Sequence, residues 1–302
     1  MSQRDTFHDL LQGEGGLRST DLVALSDLSP ADLREFEAEW AGATVERRRA
    51  VLSCLRELAE DNIEYNYKAI FLLALGDRDA EVRREAVEGL WEEEGLAVLQ
   101  RLEELLVADR SPEVRSSAAA ALGRFAYLAT VGELPDARAD QLREALRRAV
   151  MQAPDGSQLQ MRAVETLSYF HDDPLVNEYI GRLYREGDEE EQASALVAMG
   201  RSMQPQWESA VRQELENDDA RVRFQAARAA GEMALSDTVP TLGRLAEGDD
   251  LEVRESAIWA LGQIGTKPAT ERLRTLAANG PEDVREACEE ALGEAMYSGD
   301  HD

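Results

Sequence analysis

The feature that most constrains this chain is an internal repeat. The stretch Asp109-Arg-Ser-Pro-Glu-Val114-Arg115 leads through small and apolar residues to Leu122-Gly123. The same order of acidic turn, Val-Arg, Ala-rich stretch and closing Gly returns from Asp218 to Gly231, Asp249 to Gly262 and Asp283 to Gly293. A fifth copy, from Asp77 through Val82-Arg83 to Leu90, lacks only the closing Gly. Val222, Val253 and Val284 are 31 residues apart, and Val82 and Val114 are 32 apart. Two weaker copies fill the gap, with Leu159-Gln160 and Glu191-Gln192 in place of Val-Arg. The step from Val114 to Leu159 is 45, so one copy carries an insertion near 127–136. A unit this short cannot bury an apolar face alone, but stacked copies can share one core.

Each unit reads as two helices. Asp and Asn ahead of the first helix are expected N-caps, and the closing Gly is expected at C′. Aromatics are only 6% of the chain, so the core is expected to be built from Ala, Leu and Val, with Ala spacing that lets helix axes approach closely. The N-terminal part is less regular. Ser29-Pro30-Ala31-Asp32 opens a helix with Leu33, Phe36 and Trp40 on one face, and Thr44 opens another bearing Val51, Leu52, Leu55 and Leu58. Residues 17–76 are expected to form divergent N-terminal capping repeats, 77–297 the regular array, and 1–16 and 298–302 disordered tails.

The Asp-rich turn, Val-Arg, Ala-rich first helix and Leu-Gly close resemble the short HEAT-like repeats of the phycobilisome-lyase-type family. The resemblance covers 77–297 well and 30–76 loosely. It implies an all-α fold, an α-solenoid in which HEAT-like helical hairpins wind into a right-handed superhelix. It also implies that second helices line the concave face. A bilin lyase-like or other enzyme-complex accessory subunit is one function it would allow. Iron-binding helical-repeat proteins such as deoxyhypusine hydroxylases place His-Glu pairs in several repeats. Here the only histidines are His8, His171 and His301, and none precedes Glu, so no metal or other cofactor is expected.

The formal charge is −28. Nucleic-acid binding relies on neutralising phosphate with Lys and Arg, and anionic membranes attract the same residues, so neither partner is expected. No apolar run reaches the ~20 residues of a membrane span, and the polar N-terminus lacks a signal-peptide core. A cytoplasmic protein with two free thiols, Cys54 and Cys288, is expected.

No nucleophile-base pair, P-loop or other catalytic signature is present. Arg83, Arg115, Arg223, Arg254 and Arg285 recur in the first turn of each first helix, where a cation opposes the macrodipole. They are expected to form a structural ladder with acids of the turns, the alternative being an anionic ligand. The expected second helices, 96–107, 137–149, 175–185, 207–216, 238–247 and 268–278, hold eleven arginines and ten acids. This face is therefore near neutral, and the acidic excess lies in turns, first helices and the N-terminal region. Arg143, Arg147 and Arg148, with Arg182 and Arg212, are the candidate residues for contacting a partner. The first three either receive an acidic segment or are neutralised by Glu144 and nearby turns. Tyr65, Tyr67, Phe71 and Trp91 either pack the cap core or form a binding patch. The chain is read as a non-enzymatic scaffold that binds a protein or peptide.

Overall fold

The computed structural model describes residues 3–13 and 15–299, and every regular element among them is helical. The order begins with α1 (Gln3–Gln12), α2 (Ser19–Val23), α3 (Pro30–Trp40), α4 (Val45–Asp61) and α5 (Lys68–Ala74). Hairpins follow as α6 (Ala80–Glu88) with α7 (Leu96–Ala108), and as α8 (Pro112–Ala121) and α9 (Gly123–Thr130) with α10 (Asp136–Gln152). Next come α11 (Gln158–Leu167) with α12 (Pro174–Glu186), and α13 (Glu189–Ser202) with α14 (Glu208–Glu214). The series ends with α15 (Ala220–Glu232) and α16 (Val239–Leu245), α17 (Leu251–Ile264) and α18 (Lys267–Asn279), then α19 (Glu282–Gly299). The chain divides into two compact units, Met1–Ala149 and Val150–Asp302. Each is a stack of α-solenoid hairpins. The 45-residue step is absorbed by α9, which continues the first helix, and by a 17-residue α10.

The recurring Val is explained by the cap that precedes it. Asp79, Ser111, Asp219 and Asp250 each accept a hydrogen bond from the backbone N–H of Val82, Val114, Val222 and Val253. Those four valines are buried. Cap and core anchor are thus fixed three residues apart, and a cap of this kind stabilises by about 1 kcal/mol.

Two expectations are corrected by the packing. Residues 1–16, expected as a disordered tail, contain α1. Phe7, Leu10 and Leu11 form its apolar stripe and are buried, and the Phe7 ring meets Phe36 edge-on at 5.6 Å. The spacing of three and four places them on one face of a helix, within an otherwise polar segment. At the other end α19 runs through Ser298 and Gly299. The rest of that expected tail, 300–302 with His301, lies outside the described residues.

The closing glycines are the second correction. Gly200, Gly231 and Gly262 are not at C′; they lie inside α13, α15 and α17. A Cβ at Gly231 would stand 2.9 Å from Ala260 Cα, and one at Gly200 would stand 3.0 Å from Ala229 Cα. Glycine there lets consecutive first helices touch backbone to backbone. Gly293, in the matching position of α19, has nothing within 4 Å. The true left-handed helix ends come three residues later, at Met203 (φ 50°), Ala234 (φ 50°) and Gly265 (φ 59°). Only the last is the residue such a conformation favours.

Replacing Met203 or Ala234 by Gly should therefore stabilise the protein by about 1 kcal/mol each, by removing left-handed strain. Gly231→Ala should destabilise by about 1–2 kcal/mol through overpacking, whereas Gly293→Ala should stabilise by about 1 kcal/mol through helix propensity alone. Urea unfolding midpoints of the four variants check these signs.

Candidate partner-binding face

The five recurring arginines divide by geometry. Arg83 makes a two-pronged ion pair with Asp109 of the next turn, both bonds at 2.7 Å, and donates to the Asp77 carbonyl at 2.8 Å. Arg254 likewise reaches Asp283 at 2.6 Å. Arg115 instead donates to the Leu106 carbonyl at 2.9 Å, and Arg223 to the Asn217 and Asp218 carbonyls at 2.7 and 2.9 Å. Among the described residues Arg285 pairs only with Glu282, at 3.9 Å. The ladder expected of all five is thus corrected, with an Asp rung at two positions. More general at this position is a donor to carbonyls of the preceding turn or helix end. Gln160, in the arginine position of a weak copy, does the same to the Val150 carbonyl at 3.2 Å.

One rung was missed in the sequence. Arg48 stands four residues after its cap Thr44, as Arg83 does after Asp79. Its guanidinium meets the buried Asp77 carboxylate at 2.9 Å, and Trp40 donates to the same carboxylate at 3.0 Å. The cap-to-arginine spacing was the available signal; the missing Asp-rich turn and Leu-Gly close concealed it.

Asp109 shows what such a rung does electrostatically. Burial by itself would raise its carboxyl pKa, but the bonds from Arg83 and from the Ser111 and Arg110 backbone outweigh this and hold it below the ordinary value.

A second set of ion pairs links the second helices. Arg138 of α10 meets Glu103 of α7 at 2.7 Å, Arg244 of α16 meets Glu216 just past α14 at 2.7 Å, and Arg272 of α18 meets Glu247 just past α16 at 2.8 Å. Two candidate contact residues are held in this manner. Arg212 pairs with Asp237 at 2.7 Å and Glu208 at 2.9 Å. Arg182 pairs with Asp155 at 3.0 Å and lies over the Tyr179 ring. Arg143 and Arg147 are half-buried with interactions of their own. Arg148 is exposed and makes only a 3.3 Å bond to the Glu144 carbonyl.

Arg148 stands at the rim of a groove of about 420 Å³ between α7 and α10. Val107, 52% exposed, lines it with Ala108 and Ala145, and Glu104 lies at its edge. Glu103 also lines it. Burial pushes the Glu103 carboxyl up against the pull of Arg138, and its Oε1 is enclosed without a hydrogen-bond partner. The aromatic group is split by the fold: Tyr67 and Phe71 are core, Tyr65 is half-buried, and Trp91 is 57% exposed.

Little else gathers chemistry. Among the described residues no group of three or more His, Cys, Asp or Glu is placed to hold a metal ion. His171 bonds the Ser202 carbonyl at 2.9 Å, linking the α11–α12 turn to the end of α13. Both cysteines are free, and burial raises the Cys288 thiol to about 11. No helix of the described residues is long and apolar enough to cross a membrane.

The model of HEAT repeats matches residues 208–293, and that of the single HEAT repeat matches 98–129. The chain is a HEAT-repeat protein. Its fold is similar to the complex of CpcE and CpcF of phycocyanin lyase from Nostoc sp. PCC7120, at 18% identity and a TM-score of 0.50, over 76% of this chain and 94% of that one. Human deoxyhypusine hydroxylase aligns at 17% identity and a TM-score of 0.38, over 98% and 97% of the two chains. Importin beta aligns at 14% identity and a TM-score of 0.46, over 96% of this chain and 43% of that one. No curated protein sequence matches the HEAT-repeat chain.

Asp109→Asn should destabilise this HEAT-repeat protein by about 2 kcal/mol near neutral pH, since Arg83 keeps its charge without its partner. A carboxylate with a lowered folded pKa stabilises above its unfolded pKa of about 4 and loses that effect as pH falls through the folded value. The difference in melting temperature between wild type and Asp109→Asn should therefore shrink below about pH 4. A pH series of thermal unfolding checks it.

Proposed function

We propose that this HEAT-repeat protein is a non-enzymatic scaffold that holds a protein partner at the second-helix groove between α7 and α10. The observation that carries the reading is Val107. A half-exposed branched side chain beside Ala108 and Ala145, with an exposed Arg148 and Glu104 at the rim, is the apolar centre and charged border of a protein contact. The remaining arginines of the candidate set support it by contrast. Arg182 and Arg212 already satisfy carboxylates of their own unit, so recruiting them would mean breaking those pairs. Arg148 has no such commitment to a carboxylate. A partner here gains affinity from covering Val107 and orientation from Arg148 and Glu104.

Capture experiments with native lysate test the proposal, combined with a photo-crosslinking side chain at position 107. A partner crosslinked at 107 should be lost by at least about tenfold when Val107→Asp and Arg148→Glu are combined. Glu252→Arg, on the exposed start of α17, should leave it unchanged. A partner set indifferent to the double variant would remove this surface from consideration. A pigment or cofactor co-purifying in stoichiometric amount would overturn the non-enzymatic reading.

A further inference from the structure

The unit Met1–Ala149 carries a second exposed surface, on the edge formed by the turns inside its hairpins. Ile63 in the α4–α5 turn is 90% exposed, Trp91 and Leu96 around the α6–α7 turn are 57% and 54% exposed, and Tyr127 and Val131 at the α9–α10 turn are 48% and 49% exposed. Salt bridges tie the α6–α7 turn to its neighbours: Lys68 at the start of α5 holds Glu93, and Arg124 at the start of α9 holds Glu94. Five of the nine large apolar side chains that are exposed among the described residues therefore belong to three consecutive hairpins.

Trp91 is the informative one. It stands where five other copies have their closing Gly, the position at which first helices touch in α13 and α15. α6 ends after 9 residues, before that position, as α8 and α11 end after 10, so the Trp91 side chain enters no contact between first helices like those of α13 and α15. The end of α6 is fixed at Gly89, where a Cβ would lie 2.3 Å from the Phe71 ring. The indole is left mostly in water, 57% exposed. Exposed aromatic and branched side chains grouped in this way mark an interaction surface.

The charge around the patch identifies what it takes. Both local cations, Lys68 and Arg124, are consumed by Glu93 and Glu94. Asp61, Glu64, Glu92 and Glu133 are exposed, and no cation of the described residues pairs with their carboxylates. An acidic border around an apolar strip repels a second copy of this chain, itself at −28, and attracts the opposite charge. We propose that this edge docks a basic, amphipathic segment of a partner protein, with apolar side chains against Ile63, Trp91 and Leu96 and Lys or Arg against Glu64 and Glu92. This surface is separate from the α7–α10 groove, and neither proposal needs the other.

The test uses the full chain and three fluorescent synthetic peptides of equal length at physiological salt. One is an amphipathic Leu/Lys helix, one has the same pattern with Glu for Lys, and one is Lys-rich without Leu. Anisotropy should show the Leu/Lys peptide binding, the Leu/Glu peptide not binding, and the Lys-rich peptide weaker by at least about tenfold. Ile63→Ser with Trp91→Ser should weaken the Leu/Lys peptide by at least about tenfold, with little change in melting temperature because both side chains are mostly exposed. Val107→Asp should leave it within about twofold, so failure here and failure of the groove proposal are told apart. Equal binding of the Lys-rich peptide would reduce the effect to diffuse attraction by an acidic surface and overturn the proposal. So would indifference to the Ile63/Trp91 double variant, or a wild-type dimer in sedimentation that Trp91→Ser dissolves.

Discussion

The stacking of first helices depends on small residues at one recurring position. Where Gly200 meets Ala229 and Gly231 meets Ala260, backbones approach to a distance that leaves no room for a Cβ. Close-packed interiors do not yield easily to an added methyl group. Each such contact fixes how far one hairpin stands from the next, and so decides which side chains on either side come within bonding distance. α6, followed by Trp91 in the glycine position, is the departure. There the first helix ends before that position, and the Trp91 side chain is left mostly exposed.

Electrostatics follow from this spacing. A chain at −28 must place many carboxylates in a fold made of closely spaced helices. It does so with rungs that cross from one hairpin to the next: Arg48 to Asp77, Arg83 to Asp109, Arg138 to Glu103, Arg272 to Glu247. The exposed rungs contribute little individually. The buried ones, Asp77 and Asp109, matter more, because removing one partner leaves the other charge enclosed. Arginines such as Arg182 and Arg212 are engaged in pairs of their own, while Val107 on the second-helix side and Ile63 and Trp91 in the turns stay exposed.

Much of this was legible in the residues. The second helices expected at 96–107, 137–149, 175–185 and 268–278 appear as α7, α10, α12 and α18 with ends shifted by at most three residues, because caps, turn residues and apolar period act over a few positions. The recurring Asp and Val are a single local device, a cap and the N–H it satisfies. Helix α1 escaped because only three apolar residues mark it, and their partner Phe36 lies far along the chain.

Order along the chain therefore set the helices, their pairing into hairpins and the repeat, since each rests on contacts within a turn or two. The stack set the rest. Whether a glycine ends a helix or lets two helices touch, whether an arginine finds an aspartate or a carbonyl, and whether an aromatic is core or surface all depend on the neighbouring hairpin. Gly262 and Gly293 share a motif and differ only in that a helix packs over the first. Distances between successive hairpins are created by packing, and the side-chain pairings that depend on them come into being only with it.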